Sequence, residues 1–597
     1  MTSFVAMDRR TQSRRARLAC VALAAMLMLP ILAPIARQLG HWLGEQVSVI
    51  VRGQPGGEAQ VRQAVNGVDG HVVRTIGIVD GVTATVPADS VASLRTRPGV
   101  IEVTPNLPVH LQGSGGGGGG NWSAGSDLGS LYNTTLISGA QSYWSAGYTG
   151  RGIDVAVIDS GAVPVNGLHA QGKLVFGPDL SFDSQVPSLA YLDTFGHGTH
   201  MSGIIAGRDD AAVAGTYAGD AKDFIGMAPD ARIVSIKVAD SHGNSDVSQV
   251  LAAIDWVVAH HADPGFNIRV LNMSFGTDSY QSYTLDPLAF AAETAWHAGV
   301  VVVGATGNRG WKTGVLDPAD DPYLIAVGSS DNAATTRTAD DTVSTFSSGG
   351  AGNRNPDLVA PGAHVVSLRD PGSYIDVNNP TARVASRFFR GSGTSMAAAV
   401  VSGAAALLLS QHPLLTPDQV KNLMTSTATR LAGTGTVLQG AGELNLRGAL
   451  TALPPIAVQL FAPALGTGSL DGARGSARLS WNGVALQGEV DIFGLPVNAL
   501  TAAQALTAGT IWNGGLFNGV LWTGAGWGTL VTGDGWSGTA WKDVTWTNNS
   551  WSNNSWSNNS WSNNSWSNNS WSNNSWSNNS WSNNSWSNNS WSSAGWE

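Results

Sequence analysis

Three short stretches far apart in the chain carry an acid, an imidazole and a hydroxyl among small residues: VAVIDSG at Val155 to Gly161, GHGTHMSG at Gly196 to Gly203, and GSGTSMAAA at Gly391 to Ala399. A serine hydroxyl is a weak nucleophile at its own pKa and needs a base to take its proton during attack. Ser395 is the candidate nucleophile and His197 the candidate base. An imidazole needs a carboxylate on its other nitrogen to fix the tautomer and stabilise the imidazolium, the role open to Asp159. Each piece alone has a plainer reading. An Asp closing a strand is most often a turn former or cap, two His three apart with no third ligand nearby make a weak zinc signal, and GTSMAAA alone is a helix start with a small packing face. The inference to acyl transfer rests on all of them together.

The elements around these residues must bring them to one place. Asp159 ends an apolar run, His197 opens a small-residue run that reads as a helix, and Ser395 sits at the start of a helix predicted over Thr394 to Ser410. Side chains at element termini can reach into a cleft, and the Ser395 N–H would lie at a helix start, where free donors and the positive dipole end gather. Apolar runs at Val155 to Ile158, Arg232 to Val238, Val270 to Met273, Val300 to Gly304 and Tyr323 to Val327 alternate with helix-like segments at Val247 to His260 and Leu288 to His297. Such alternation predicts an α/β fold, a parallel sheet with helices on both faces. Sites in such sheets lie at the strand C-terminal ends.

These motifs closely resemble the subtilase family of serine endopeptidases, over roughly Asn121 to Ala452. The chain order Asp, His, Ser is that of subtilisin, whereas chymotrypsin-like enzymes run His, Asp, Ser and the nucleophile-elbow hydrolases run Ser, acid, His. The resemblance implies a subtilisin-like fold with Asp159 as orienting acid, His197 as general base, Ser395 as nucleophile and His200 as a structural residue. VVVGATGNRG at Val301 to Gly310 is similar to the family's oxyanion strand, which makes Asn308 the side-chain donor to the oxyanion beside the Ser395 N–H. By the same resemblance Ser274, Phe275 and Gly276 bind the substrate backbone as an added strand, and Ala305, Thr306 and Gly307 line the opposite side of the primary specificity pocket. Asp317 and Pro318 fall where the family often has a cis proline. Ala398 and Ala399 stand where the family usually has Ser-Pro. Proline is tolerated in the first helical turn and Ala is a good helix former, so this departure bears on local stability and not on the chemistry. The chemistry calls for no cofactor. Structural calcium is common in the family, but its ligands here are unassigned, since Asp317, Asp320 and Asp321 are equally ordinary loop acids.

The rest of the chain divides by composition. With 597 residues, 43% of them hydrophobic and 12% charged, it can bury a large core and form several domains. The formal net charge of −10, with no basic stripe after residue 40, argues against nucleic acid as a partner. In residues 1–40, Arg9, Arg10, Arg14, Arg15 and Arg17 precede an apolar stretch from Leu18 to Ala36, the layout of an export signal. The expected location is therefore secreted or at the extracellular surface of a bacterium, anchored by residues 18–36 if the segment stays uncleaved. The one cysteine, Cys20, lies in that stretch, so the exported part would carry no disulfide. Residues 46–111 read as strand, helix, strand, strand, helix, strand. They resemble the inhibitor propeptide that precedes many subtilases, which implies that their end lies product-like in the cleft until cut. Residues 112–120 form a Gly-rich linker, and autocleavage is expected between about Pro108 and Trp122; a permanent N-terminal domain is the alternative.

Residues 121–452 are the expected catalytic domain and residues 453–535 a Gly-rich β module, in which Glu489 and Asp491 read as solvated surface charge. In residues 536–597 a tryptophan recurs every five residues, and from Trp551 to Ser590 the unit is WSNNS eight times over. That period turns a helix by about 140° and flips a strand face at each repeat, so neither structure keeps the tryptophans on one side. The tail offers aromatic faces suited to stacking on cell-envelope polysaccharide. The expected partners are thus protein or peptide substrates, the chain's own propeptide and such a polysaccharide. The competing reading of the whole is a surface adhesin whose subtilase domain has minor or lost activity.

Overall fold

The computed structural model describes residues 46–105 and 122–511, apart from breaks at 55, 77–79, 187, 353, 482–483 and 493–495, together with short strands at 516–517, 520–521 and 595–596. The expected export segment, the 112–120 linker and all of the Trp-repeat tail except 595–596 lie outside the described residues. The chain forms two compact units, Met1–Gly120 and Asn121–Glu597.

In the first unit β1 (Gln46–Gly53), β2 (His71–Ile76), β3 (Gly81–Pro87) and β4 (Val100–Pro105) form one antiparallel sheet in the order β2-β3-β1-β4. Helices α1 (Glu58–Asn66) and α2 (Val91–Arg95) complete the predicted order of elements, the second entered through a 3₁₀ turn at Ala88–Ser90. Val49, Val51, Val61, Val65, Val82, Val86, Leu94 and Val103 fill its core. Alternation along β3 and the Val61/Val65 spacing on α1 supply one apolar face each, and the two faces close on each other.

The second unit is built on a mostly parallel sheet with the order β11-β10-β9-β8-β5-β7-β6, β12 pairing with β10. Its strands are β5 (Asp154–Asp159), β6 (Leu174–Asp179), β7 (Arg232–Lys237), β8 (Ile268–Met273), β9 (Val301–Ala305), β10 (Ile325–Asp331), β11 (Thr342–Val343) and β12 (Leu358–Pro361). Both faces of β5 are buried, which is why its sequence is a continuous apolar run and does not alternate. Helices α3 (His197–Ala206), α4 (Val247–His260), α5 (Pro287–His297) and α6 (Thr394–Gln411) pack on this sheet or on one another. The apolar α6 runs through the core against β8, β9, β10 and α3. Its composition would suit a membrane span, but most of it is buried inside the protein, as an all-round apolar helix must be. A smaller antiparallel sheet of β13 (Val365–Leu368), β14 (Arg383–Val384) and β15 (Phe388–Ser392) leads directly into α6.

Residues 453–511 differ from the expected β module. Their longer elements are helices at Leu470–Arg474 and Ala499–Thr507, with only a two-residue strand pair at Ser480–Trp481 and Val484–Ala485. The alternating apolar pattern belongs instead to an extended strap whose polar groups bond to the catalytic unit. Gln459 N donates to Asp418 Oδ2 (2.9 Å), Ala464 N to Glu293 Oε2 (2.7 Å) and Leu465 N to the Thr284 carbonyl (2.8 Å). Arg474, fully buried, donates from Nε to Asp246 Oδ1 at 2.7 Å.

Candidate active site

The sheet register gathers the motif residues. Ile158 is level with Met273 across β5 and β8, and Met273 with Gly304 across β8 and β9. The next residues, Asp159, Ser274 and Ala305, therefore stand side by side at the C-terminal ends of three adjacent parallel strands, roughly 4.8 Å apart per strand. Asp159 is fully buried, and His197 Nδ1 lies 2.9 Å from its Oδ1 and 3.0 Å from its Oδ2. Ser395, the second residue of α6, donates its Oγ–H to the Ser274 carbonyl at 2.9 Å, and Ser274 Oγ donates back to the Ser395 carbonyl at 3.1 Å. The nucleophile candidate is thereby fastened to the strand beside the one that carries the acid.

Asn308, three residues beyond β9, is oriented by Thr394. Its Oδ1 accepts from Thr394 N at 2.9 Å and from Thr394 Oγ1 at 3.0 Å, so the side chain's donor is its Nδ2 end. Thr394 Oγ1 also accepts from Gly307 N at 3.1 Å. One buried hydroxyl thus ties the loop after β9 to the start of α6, next to Ser395. In the sequence Thr394 reads only as a helix start. The GTS triplet was the available signal, but it does not say which atom the hydroxyl meets.

The acid–base pair has its own support. Ser160 N donates to Asp159 Oδ1 at 2.7 Å, and Ser160 Oγ donates to Asp193 Oδ1 at 2.8 Å while accepting from Gly198 N at 3.0 Å. Asp193 also accepts from Gly196 N (2.6 Å) and Thr199 N (2.7 Å), gripping the first turn of the His197 helix. Gly198 is required there, because a Cβ would collide with the Gly161 carbonyl. Behind this lies Lys237, whose Nζ donates to the Ser160 carbonyl at 2.8 Å and pairs with Asp183 at 2.9 Å. Burial opposes the Lys237 charge, but Asp183, Asp179 and Asp193 outweigh it and hold the ammonium pKa above its usual value. Burial pushes Asp193 up, against the pull of Lys237 and the helix N–H groups. His200, one turn after His197 and fully buried, is pulled down to about 3 by burial and by His197, which keeps it neutral.

Of the expected pocket residues, Ser274, Phe275, Ala305 and Thr306 are buried. Gly276 and Gly307 face each other across Leu316: an added Cβ would meet Leu316 Cβ at 2.7 Å from Gly276 and Leu316 Cδ1 at 2.7 Å from Gly307. The Leu316–Asp317 segment is held on both sides, Leu316 N donating to the Thr306 carbonyl (3.1 Å) and Asp317 N to the Thr277 carbonyl (2.9 Å). The Asp317–Pro318 peptide is cis. Burial, with Asp286 close by, drives Asp317 well up, and burial likewise raises Asp320 and Asp321. Among the described residues no group of three or more His, Cys, Asp or Glu is arranged to hold a metal ion, and the calcium ligands stay unassigned. Glu489, exposed, accepts from Leu470 N at 2.8 Å at the start of the Leu470–Arg474 helix.

Residues 150–443 match the family model described as "Subtilase family". Subtilisin E of Bacillus subtilis (strain 168) is 30% identical over 399 residues, covering 66% of this chain and 86% of that protein. The chain belongs to the subtilase family. Serine protease AprX of the same strain is 36% identical over 304 residues, 50% of this chain and 66% of AprX. Subtilisin of Bacillus pumilus is 34% identical over 313 residues, 51% of this chain and 93% of that protein. A crystal structure of fervidolysin from Fervidobacterium pennivorans aligns with 69% of this chain and 62% of that chain at a TM-score of 0.43 and 25% identity. Ahead of the subtilase region, residues 38–106 match the model described as "Putative peptidase inhibitor domain". The chain is accordingly a subtilisin-type serine peptidase with an inhibitor-type domain before it.

Proposed function

We propose that this subtilase is an endopeptidase that cleaves through an acyl-enzyme intermediate, with Ser395 as nucleophile, His197 as base and Asp159 as the orienting acid. The observation that carries the reading is the Asp159–His197 contact of 2.9 Å beside a Ser395 hydroxyl bound to the neighbouring strand end. On substrate binding the Ser395 hydroxyl turns from the Ser274 carbonyl to Nε2 of His197, which takes the proton as Oγ bonds to the scissile carbonyl carbon. The carbonyl electron pair moves onto oxygen, where the Asn308 Nδ2 and the Ser395 N–H receive it. His197 then gives its proton to the leaving amine. Water, deprotonated by the same base, releases the acyl group and restores the hydroxyl. Removal of the equivalent Asn is the type case in subtilisin itself, so the loss of about 10²- to 10³-fold in kcat expected for Asn308→Leu is carried over by analogy.

The inhibitor-type domain acts as an intramolecular restraint, removed by self-cleavage in the 108–122 region, and the enzyme works outside the cell after export. Its substrates are proteins or peptides bound mainly through their main chain at Ser274 to Gly276, which favours breadth over sequence selectivity. The test is fluorophosphonate labelling of the purified chain. Labelling and peptide hydrolysis that vanish in folded Ser395→Ala support the mechanism; labelling of the wild type at a different residue, or none, overturns it in favour of a surface protein with a silent subtilase domain.

A further inference from the structure

The β15 strand has an edge that the catalytic reading leaves unused. Its Phe388–Phe389 end pairs with β14 on one side, and β13 covers the other side from Phe388 to Gly391. On the β14 side, Gly391 and Ser392 pair instead with the last tryptophan repeat of the same chain, in antiparallel register Gly391↔Trp596 and Ser392↔Gly595. Ser392 is three residues before Ser395, so this edge lies within about 10 Å of the nucleophile along the chain. The Ser274 carbonyl, at 2.9 Å from Ser395 Oγ, flanks the nucleophile with a second backbone edge. With Ser274 to Gly276 taking the acyl half of an extended peptide, the Gly391–Ser392 edge is the backbone left for the half beyond the scissile bond.

We propose that Gly595–Trp596 docks on the Gly391–Ser392 edge as an added strand and competes there with the leaving-group side of substrate, so that the Trp-repeat segment restrains the enzyme in cis. This rests on the assignment of Ser395 as nucleophile. The physical basis is β-augmentation: an open strand edge presents N–H and C=O groups that an extended segment satisfies with little demand on sequence. Because both partners belong to one chain, two weak backbone pairings are made at the high effective concentration of an intramolecular contact.

The test replaces Gly595 and Trp596 together by Pro, which cannot donate to a ladder, and measures two substrates. One is an internally quenched peptide that extends well past the scissile bond; the other ends at the scissile bond in a p-nitroanilide. The double variant is expected to raise kcat/KM about fivefold to tenfold for the extended peptide, the factor one intramolecular hydrogen-bond pairing supplies, and to leave the anilide unchanged. A synthetic peptide of residues 591–597 should reverse the gain. Equal effects on both substrates, or none, overturn the competition. The pairing is read separately by hydrogen exchange in the Ser395→Ala chain, where the proline pair should speed deuterium uptake at residues 389–393. Unchanged uptake there refutes docking whatever the activity, whereas faster uptake with no fluorophosphonate labelling of the active chain refutes the Ser395 assignment and leaves the docking standing.

Discussion

Replacing Thr394 by Val keeps the β-branched shape and deletes one hydroxyl on which two contacts converge. Thr394 Oγ1 donates to Asn308 Oδ1 at 3.0 Å and accepts from Gly307 N at 3.1 Å, in a residue with no exposed surface. Loss of a neutral hydrogen bond together with a stranded buried N–H should lower stability by about 2–3 kcal/mol. The catalytic effect is smaller than that of removing Asn308, because Thr394 N still holds Asn308 Oδ1 at 2.9 Å. A loosened rather than absent oxyanion donor should cost about 1 kcal/mol of transition-state stabilisation, a fivefold to tenfold fall in kcat. KM should stay within about twofold, since the oxyanion exists only after attack. Steady-state kinetics on a peptide substrate, run for Thr394→Val, Asn308→Leu and the double variant, closes a cycle. With Asn308 gone the hydroxyl has nothing to position, so the second substitution should cost little further kcat. A full fivefold to tenfold loss in the Asn308→Leu background would show that Thr394 acts by another route and would refute the positioning argument.

The remaining expectations concern processing and stability. Wild type should lose its N-terminal domain on standing while folded Ser395→Ala keeps it, as read by intact mass; identical N-termini would remove self-processing. Lys173 is buried with Nζ bonded to the Pro229 and Ala231 carbonyls, and burial, with Arg208 adding, pulls its pKa down from 10.5 to about 7. Between those values the unfolded chain holds a proton the folded chain has released, so stability should rise with pH by at most about 1.4 kcal/mol per unit. Lys173→Met should lack that rise, and equal slopes in urea unfolding from pH 7 to 9 would contradict the argument. Arg474→Met leaves the Asp246 carboxylate buried without its guanidinium, and the catalytic unit should lose about 3–5 kcal/mol in denaturant unfolding; a loss below 1 would mean that the strap is an appendage.

The two kinds of outcome across this chain follow from how far apart the partners are. Asp159, His197, Asn308 and Ser395 each sit in a local pattern, an apolar run ending in Asp or a small-residue helix beginning at Ser, and local patterns decide element type and ends. The α4 helix is predicted and found at Val247–His260, and α6 extends one residue past its predicted end. What local pattern cannot carry is the identity of the atom on the far side of a contact. Ser160, Asp193 and Lys237 read as an ordinary Ser, Asp and strand Lys, yet they form the bracket that holds the acid against its imidazole. The same limit explains residues 453–511, where alternation normally signals a strand paired with a strand. Here the pairing groups are Asp418, Glu293 and the Thr284 carbonyl of the catalytic unit, so the chain is extended without belonging to a sheet. Arg474 shows what such a strap does for the site: its guanidinium is the counter-charge of Asp246, whose Oδ2 accepts from Ser248 N at 3.0 Å and caps α4, the helix that packs on β5, the strand ending in Asp159. Asp159, the proposed orienting acid, thus ends a strand braced through α4 by a segment more than three hundred residues away, and a truncation after Ala452 that spares every motif should still weaken the enzyme.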